Sequence, residues 1–330
     1  MTLKTLVCGI DVSKDYFDVC FNDQDGNLHY LKFDNHAQGF DSLIAKLGKR
    51  MYVMENTGPY FFRLAAKLRK VGADVRVENP VVIKRFIQMN MERNKSDRKD
   101  ARWIYRFGLE REATKWKMPS KEQMKCSQKL GAIDLMKRQL TMIANQLHSI
   151  DQLPVACKEV KKSLTAVKIK MEKAVEKLED QLQVFLSTWQ GQQQKNLTTI
   201  PGLGKRAVAM LIVYTDGFKK ISNYRQLIAL AGLVPREYNS GSSVRGKKGI
   251  CKMGNGHLRN VLYMCSMSAI KYNRACLELY ERLRASGKNG KVALIAVCNK
   301  LLKQAFSIAT KGTQYQANYK SVLERKSLAS

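Results

Sequence analysis

Hydrophobic and polar positions alternate in two rhythms along the first third of the chain. LKTLVCGIDV, DYFDVCFN and NLHYLKFD are short runs rich in β-branched and aromatic residues, separated by SK and by DQDGN with its Asp25-Gly26 turn signal. They predict three strands joined by tight hairpins. The period then lengthens, predicting a helix over Gln38–Leu47, a strand at RMYVMEN and a helix over Tyr60–Val71 closed by Gly72. A strand at ADVRVEN follows, and Pro80 opens a third helix.

From residue 121 the pattern changes in kind. Ile133, Met136, Leu140, Ile143, Leu147 and Ile150 recur three and four apart, and after Pro154 a second stripe holds Leu164, Val167, Met171, Leu178, Leu182, Phe185 and Trp189. These are coiled-coil-like seams, with Lys and Glu on the outer faces and methionines as core filler, and they predict an antiparallel hairpin packed on itself or on a second subunit. From residue 195 the helices become short and glycine-punctuated: TIPGLGKRAVAMLIVY, then NYRQLIALAGLVP. The polar stretch REYNSGSSVRGKKGICKMGNG reads as neither helix nor strand. HLRNVLYMCSMSAIKYN and KVALIAVCNKLLKQAFSIAT are apolar enough to be core helices, and NYKSVLERKSLAS reads as a frayed tail.

Three antiparallel strands followed by alternating helices and strands is the order of a ribonuclease H-like sheet. The expected fold is therefore α/β plus α: a ribonuclease H-like (RuvC-like) domain over 1–120, a coiled-coil helical hairpin over 121–194, and a mainly α-helical domain over 195–330 that contains a helix-hairpin-helix.

Charge narrows the class of partner. Against 58 Lys and Arg stand 28 Asp and Glu, a net of +30 over 330 residues. So large an excess repels itself unless a polyanion is the usual company, and nucleic acid or an anionic membrane would serve. No apolar run reaches the roughly 18 residues of a spanning helix, and MTLKTLVCGIDVSK turns polar too early for a signal peptide. The expectation is a cytoplasmic nucleic-acid-binding protein with no membrane partner. Eight cysteines (8, 20, 126, 157, 251, 265, 276 and 298) lack CxxC spacing and fit buried thiols in a reducing compartment.

Within this basic chain, NKSDRKDARW keeps Asp97 and Asp100 among Lys95, Arg98, Lys99 and Arg102. At i and i+3 the two acids share a helical face. Asp11 ends the first strand in GIDVSK and Glu55 ends the fourth in VMENTG. In the expected sheet these strands are adjacent, so four carboxylates converge. Hard oxygen ligands of this kind select Mg²⁺ or Mn²⁺, and two such ions about 4 Å apart can clamp a phosphodiester. Taken one at a time, each acid could equally be a helix cap or a surface ion pair, Ser96 standing where an N-cap would fall.

Two glycine loops follow. In TIPGLGKRAV, Gly202 and Gly204 would let backbone N–H groups and Lys205 approach a phosphate, or would simply start a helix after a turn. YNSGSSVRGKKG sets Ser240, Ser242 and Ser243 among glycines with Arg245, Lys247 and Lys248 alongside, as either a phosphate-gripping loop or a flexible one. A nucleophilic serine needs activation and a stabilised phosphorane, which such cations could supply. In KMGNGHLR, His257 and Arg259 are further candidate nucleic-acid contacts.

GIDVSK, ENTGPY, NKSDRKDAR, IPGLGK, AGLVPREYNSGSSVRG and KMGNGHLR stand in an order and at spacings that resemble the DEDD transposases of bacterial insertion sequences. That family includes bridge-RNA-guided recombinases and Piv-type site-specific DNA invertases, and the resemblance runs over roughly residues 5 to 315. It implies that Asp11, Glu55, Asp97 and Asp100 are the metal ligands of a RuvC-like domain and that Ser240 is the nucleophile. Asn56 and Ser96 depart from the usual neighbours without removing a ligand. It also implies DNA as substrate and a guide RNA as partner. Assembly would be a homodimer or a tetramer built as a dimer of dimers, with one subunit's acids facing another's serine domain across the coiled coil.

The expected function is a Mg²⁺-dependent transposase or recombinase that cuts and rejoins DNA through a serine–phosphate intermediate under RNA guidance. An invertase that finds its sites by protein contacts alone fits the same residues. A Holliday-junction nuclease would use the acids but not Ser240, and a non-catalytic DNA-organising protein would leave the acids idle.

Overall fold

The computed structural model describes residues 6–91, 96–236, 239, 240, 244, 245 and 249–317, the four between 239 and 245 by backbone alone. Two compact units divide at Met118 and Pro119.

The first unit holds β1 (Val7–Val12), β2 (Tyr16–Asn22), β3 (Leu28–Asp34), α1 (Ala37–Leu47), β4 (Met51–Glu55), α2 (Phe61–Lys70), β5 (Asp74–Glu78), α3 (Pro80–Met89) and α4 (Asp97–Glu110). The strands form one five-stranded mixed sheet in the order β3-β2-β1-β4-β5. β1, β2 and β3 are antiparallel neighbours, whereas β4 runs parallel to both β1 and β5. All five expected strands and the helices between them are present.

Both faces of the sheet are covered, which explains why its central strands are almost continuously apolar. Ile10, Val12, Phe17 and Val19 pack with Phe40 and Leu43 of α1 and Leu64 and Leu68 of α2. On the opposite face Val7, Cys20 and Val53 meet Ile83 and Phe86 of α3 and Ala101, Ile104 and Phe107 of α4. Helix starts are set locally. Asn79 caps α3 with Pro80 just inside, and the Ser96 hydroxyl accepts from the Lys99 amide at 3.4 Å to cap α4.

The second unit contains α5 (Lys121–Asp151), α6 (Lys158–Thr198), α7 (Lys205–Thr215), α8 (Tyr224–Leu230), α9 (Gly256–Tyr272), α10 (Arg274–Ala285) and α11 (Gly290–Lys311). Four two-residue strands lie between α8 and α9: β6 (Pro235–Arg236), β7 (Asn239–Ser240), β8 (Val244–Arg245) and β9 (Gly249–Ile250). One core runs through the unit, and α5 and α6 contribute Cys126, Leu130, Ile133, Leu182 and Leu186 to it. Further along the hairpin the seam thins: Ile143, Leu147, Leu164 and Met171 are half-buried and Val167 is exposed. Lys137 to Glu179 (2.5 Å) and Lys129 to Gln181 (2.6 Å) bridge the two helices. α6 bends at Gln190, whose φ of −138° leaves the helical region.

Two expectations change. The polar stretch after residue 234 contains strands: β6 pairs with β9 and β7 with β8, both antiparallel. Ladders of two residues need backbone hydrogen bonds and little side-chain pattern, so alternation could not announce them. Among the described residues α11 is also long and apolar enough to cross a bilayer, although no run had been expected to qualify. Lys300 and Lys303 interrupt it, while Val297, Cys298, Leu301, Leu302 and Ala305 are buried in the core. The tail over 318–330 lies outside the described residues.

Candidate active site

The acids of the first unit are brought together by three elements. Asp11 is the penultimate residue of β1 and Glu55 the last of β4. The parallel register pairs Ile10 with Met54, so the next step sets Asp11 beside Glu55. α4 delivers the other two from its first turn, Asp97 exposed and Asp100 half-buried.

What lets α4 come so close is Gly9. A methyl group there would lie 2.1 Å from the Tyr105 nitrogen and 2.5 Å from the Ala101 oxygen, so the helix backbone rests directly on β1. Two residues further along the strand stands Asp11, on the same face of the sheet by the period of two.

Electrostatics register the convergence. The Asp11 carboxyl is pushed up to about 7, first by burial and then by the charges of Asp100, Glu55, Asp97 and Asp18. Asp18 is a fifth acid, directly opposite Asp11 in the β1–β2 register. Its own carboxyl is raised by burial and by Asp97, and lowered by Lys32. The Tyr16 hydroxyl donates to Asp97 Oδ2 at 3.2 Å, and the Thr57 hydroxyl donates to Glu55 Oε1. Beside the group lies a shallow cleft of about 250 Å³ lined by Asp18, Tyr30, Lys32 and Arg98.

Among the described residues no group of three or more His, Cys, Asp or Glu side chains is arranged so that it could hold a metal ion. The donor chemistry nonetheless suits a hard divalent cation. Every donor is a carboxylate, and their mutual repulsion is the force a cation would relieve. Asp18, Tyr16 and Gly9 were not singled out from the sequence. The signal for the first two is the alternation Tyr16, Asp18, Cys20 along β2, which becomes readable once Val12 is paired with Phe17 across the hairpin.

In the second unit, Gly202 has φ +92° and faces Ala269 of α9 so closely that a Cβ would lie 2.6 Å from it. Gly204 is the N-cap of α7, and Lys205, exposed, is its first residue. The Arg259 guanidinium donates to the Ala231 and Lys252 carbonyls at 3.1 and 3.4 Å, tying two loops together. His257 Nδ1 lies 3.7 Å from the buried carboxylate of Asp134 on α5, which also pairs with Arg206. Ser240 and Arg245 sit on the paired strands β7 and β8, their side chains undescribed. Lys95, Ser242, Ser243, Lys247 and Lys248 lie outside the described residues.

Residues 8–153 match a family described as DEDD transposase of the IS110 type, and residues 194–281 match the "Transposase IS116/IS110/IS902 family". A pilin gene-inverting protein of Moraxella lacunata is 26% identical over 317 residues, covering 92% of this chain and 95% of its own. The transposase of insertion sequence element IS1328 from Yersinia enterocolitica is 24% identical, covering 93% and 97%. That of IS1111A from Coxiella burnetii is 22% identical, covering 94% and 91%. Similarity spread over both units, through family matches that span the acidic residues and the glycine loops separately, leads to one conclusion: the chain belongs to the DEDD transposases of bacterial insertion sequences, enzymes that cut and rejoin DNA.

Proposed function

We propose that the chain is a divalent-metal-dependent transposase or recombinase whose Asp11, Glu55, Asp97 and Asp100 hold Mg²⁺ or Mn²⁺ and whose Ser240 attacks the scissile phosphodiester. The observation that carries the metal half is the meeting of β1, β4 and the first turn of α4, which sets four carboxylates in one electrostatic neighbourhood. The sheet order 3-2-1-4-5, with only β2 running opposite to the other four strands, supports a RuvC-like reading of the first unit. A bound Mg²⁺ or Mn²⁺ would polarise the scissile phosphate and favour deprotonation of the attacking hydroxyl.

The chain's own residues supply the rest. The Ser240 hydroxyl gives up its proton, its oxygen forms a phosphoester, and the displaced sugar oxygen takes up a proton. One ester bond replaces another, so the reverse step rejoins strands without ATP. Arg245, Lys247 and Lys248 would offset the charge of the phosphorane, and Lys205 with the turn at Gly202 and Gly204 would hold the backbone in a helix-hairpin-helix manner. His257 and Arg259 are placed by the same reading near that backbone, Arg259 acting through the loops it ties. The α5–α6 hairpin would serve as a coiled coil joining subunits into a dimer or a dimer of dimers, and a bridge RNA would supply target choice. Action would take place in the cytoplasm, on nucleoid DNA.

A second reading, a protein-directed invertase without a guide, draws on the likeness to pilin gene-inverting proteins. Trapping the reaction on a nicked substrate tests the serine step: a denaturation-resistant protein–DNA adduct should map to Ser240 and vanish in Ser240→Ala. Free phosphate ends without an adduct would refute it. RNA co-purifying with the protein, and needed for sequence-specific joining, separates the two readings.

A further inference from the structure

We infer that Tyr16 is a positioning residue for Asp97: its phenol fixes the orientation of one carboxylate of the acidic group and so tightens cation binding there. The inference rests on the metal reading above. Asp97 is the first residue of α4 and is exposed. An exposed aspartate at a helix start samples several side-chain positions, and ordering it on cation binding costs entropy. Here one oxygen is already held. The Tyr16 hydroxyl, from the first residue of β2, donates to Asp97 Oδ2 at 3.2 Å across 81 positions of sequence. That leaves Oδ1 and the second lone pair of Oδ2 for a cation.

The tyrosine is itself held. Lys32 Nζ lies 3.3 Å from the centre of its ring, a contact that fixes the ring and draws electron density from it, sharpening the O–H as a donor. Lys32 also stands opposite Asp18 in the β2–β3 register, and Asp18 opposite Asp11 in β1–β2. Asp11, Asp18 and Lys32 therefore form a row across three strands, with Tyr16 two residues before Asp18 on the same face. A rigid sheet edge, built by the hairpin, thus reaches over to the one ligand that its own helix leaves loose. Groups that orient metal ligands in this way are typically worth about 10- to 100-fold in affinity.

The test uses the full-length chain without DNA and Mn²⁺ as the probe, titrated by electron paramagnetic resonance for the unaltered protein, Tyr16→Phe and Asp97→Asn. Tyr16→Phe keeps the ring beneath Lys32 and should melt like the unaltered protein when metal-free. Its Mn²⁺ dissociation constant should rise about tenfold. In strand cleavage the metal requirement should rise equally while the rate at saturating metal is retained, a split that a general loss of structure would not produce. Mn²⁺ affinity of Tyr16→Phe within about twofold of the unaltered protein, with Asp97→Asn losing it, would overturn the role of Tyr16 alone. Unchanged affinity in Asp97→Asn would overturn the metal reading and this inference with it.

Discussion

Gly9→Ala should do damage out of proportion to one methyl group. The new Cβ would sit 2.1 Å from the Tyr105 nitrogen and 2.5 Å from both the Ala101 oxygen and the Tyr105 Cα. Ala101 and Tyr105 are the acceptor and donor positions of one helical turn, so the methyl lands on backbone that no rotamer change can clear. Ordinary contact begins at about 3.4 Å, which requires β1 and α4 to separate by roughly 1 Å. Overpacking of this kind costs about 1–3 kcal/mol or somewhat more. For a unit of this size the upper figure lowers the melting temperature by about 10 °C or more. The displacement also carries Asp97 and Asp100 away from Asp11, so Mn²⁺ affinity should fall as well.

Calorimetry with and without Mn²⁺ reads both effects. Gly131→Ala is the matched control, because nothing lies within 4 Å of a Cβ at that position on α5. There the better helix former should be neutral or stabilising by up to about 1 kcal/mol. If Gly9→Ala melts and binds Mn²⁺ like the control, α4 does not rest on β1 and the site's geometry falls with it.

Asp11→Asn should stabilise the metal-free protein at pH 8. An acid raised from its ordinary value to about 7 in the fold holds its proton more tightly there than in the unfolded chain, so stability drains away between about pH 4 and 7, and the variant should flatten that slope in pH-dependent melts. Asp100→Asn should abolish Mg²⁺-dependent strand cleavage while DNA binding, measured by gel shift, is kept or tightened. Retained cleavage would remove Asp100 from the ligand set. Gly202→Ala must adopt φ +92° and press on Ala269, so it should cost at least about 1–3 kcal/mol in thermal melts. DNA affinity should fall with salt with a log–log slope on the order of −10 if about a dozen cations meet phosphates, and a flat response would confine the +30 to the surface.

The sheet and its acids were legible because each leaves a local mark. Asp11 next to the end of its apolar strand and Glu55 at the end of its own stand where a charge can reach the rim of the sheet, and Asp97 and Asp100 are three apart behind a serine cap. What sequence could not convey is distance in the third dimension. A glycine in a strand signals close approach but not by what, and only the packed helix shows that Gly9 admits α4. Asp18 and Tyr16 matter through hairpin register, which depends on how residues 13–15 turn. The three-and-four spacing of α5 and α6 is the same where the seam is buried, at Ile133, and where it is open, at Val167. Likewise an arginine just after a glycine-rich stretch looks like a phosphate contact whether it faces solvent or, as Arg259 in the first turn of α9 does, donates to neighbouring carbonyls.

The acidic group also explains why so basic a chain would tolerate it. Asp11 and the four carboxylates around it would oppose the approach of a phosphodiester while Arg98 and Lys32 beside them would attract it, so the site and its rim would pull a DNA strand in opposite directions. In the reading proposed here a divalent cation reverses the first of these forces and leaves the second untouched. Cation and DNA then favour each other's binding, and linkage makes the coupling equal in both directions. Local conflict of this kind, an acid raised above its ordinary range by burial and by neighbouring acids within a strongly basic chain, lowers the stability of the empty fold and is retained where function requires it. The unfavourable electrostatics of Asp11 and the chemistry proposed for it are thus one property of the same geometry.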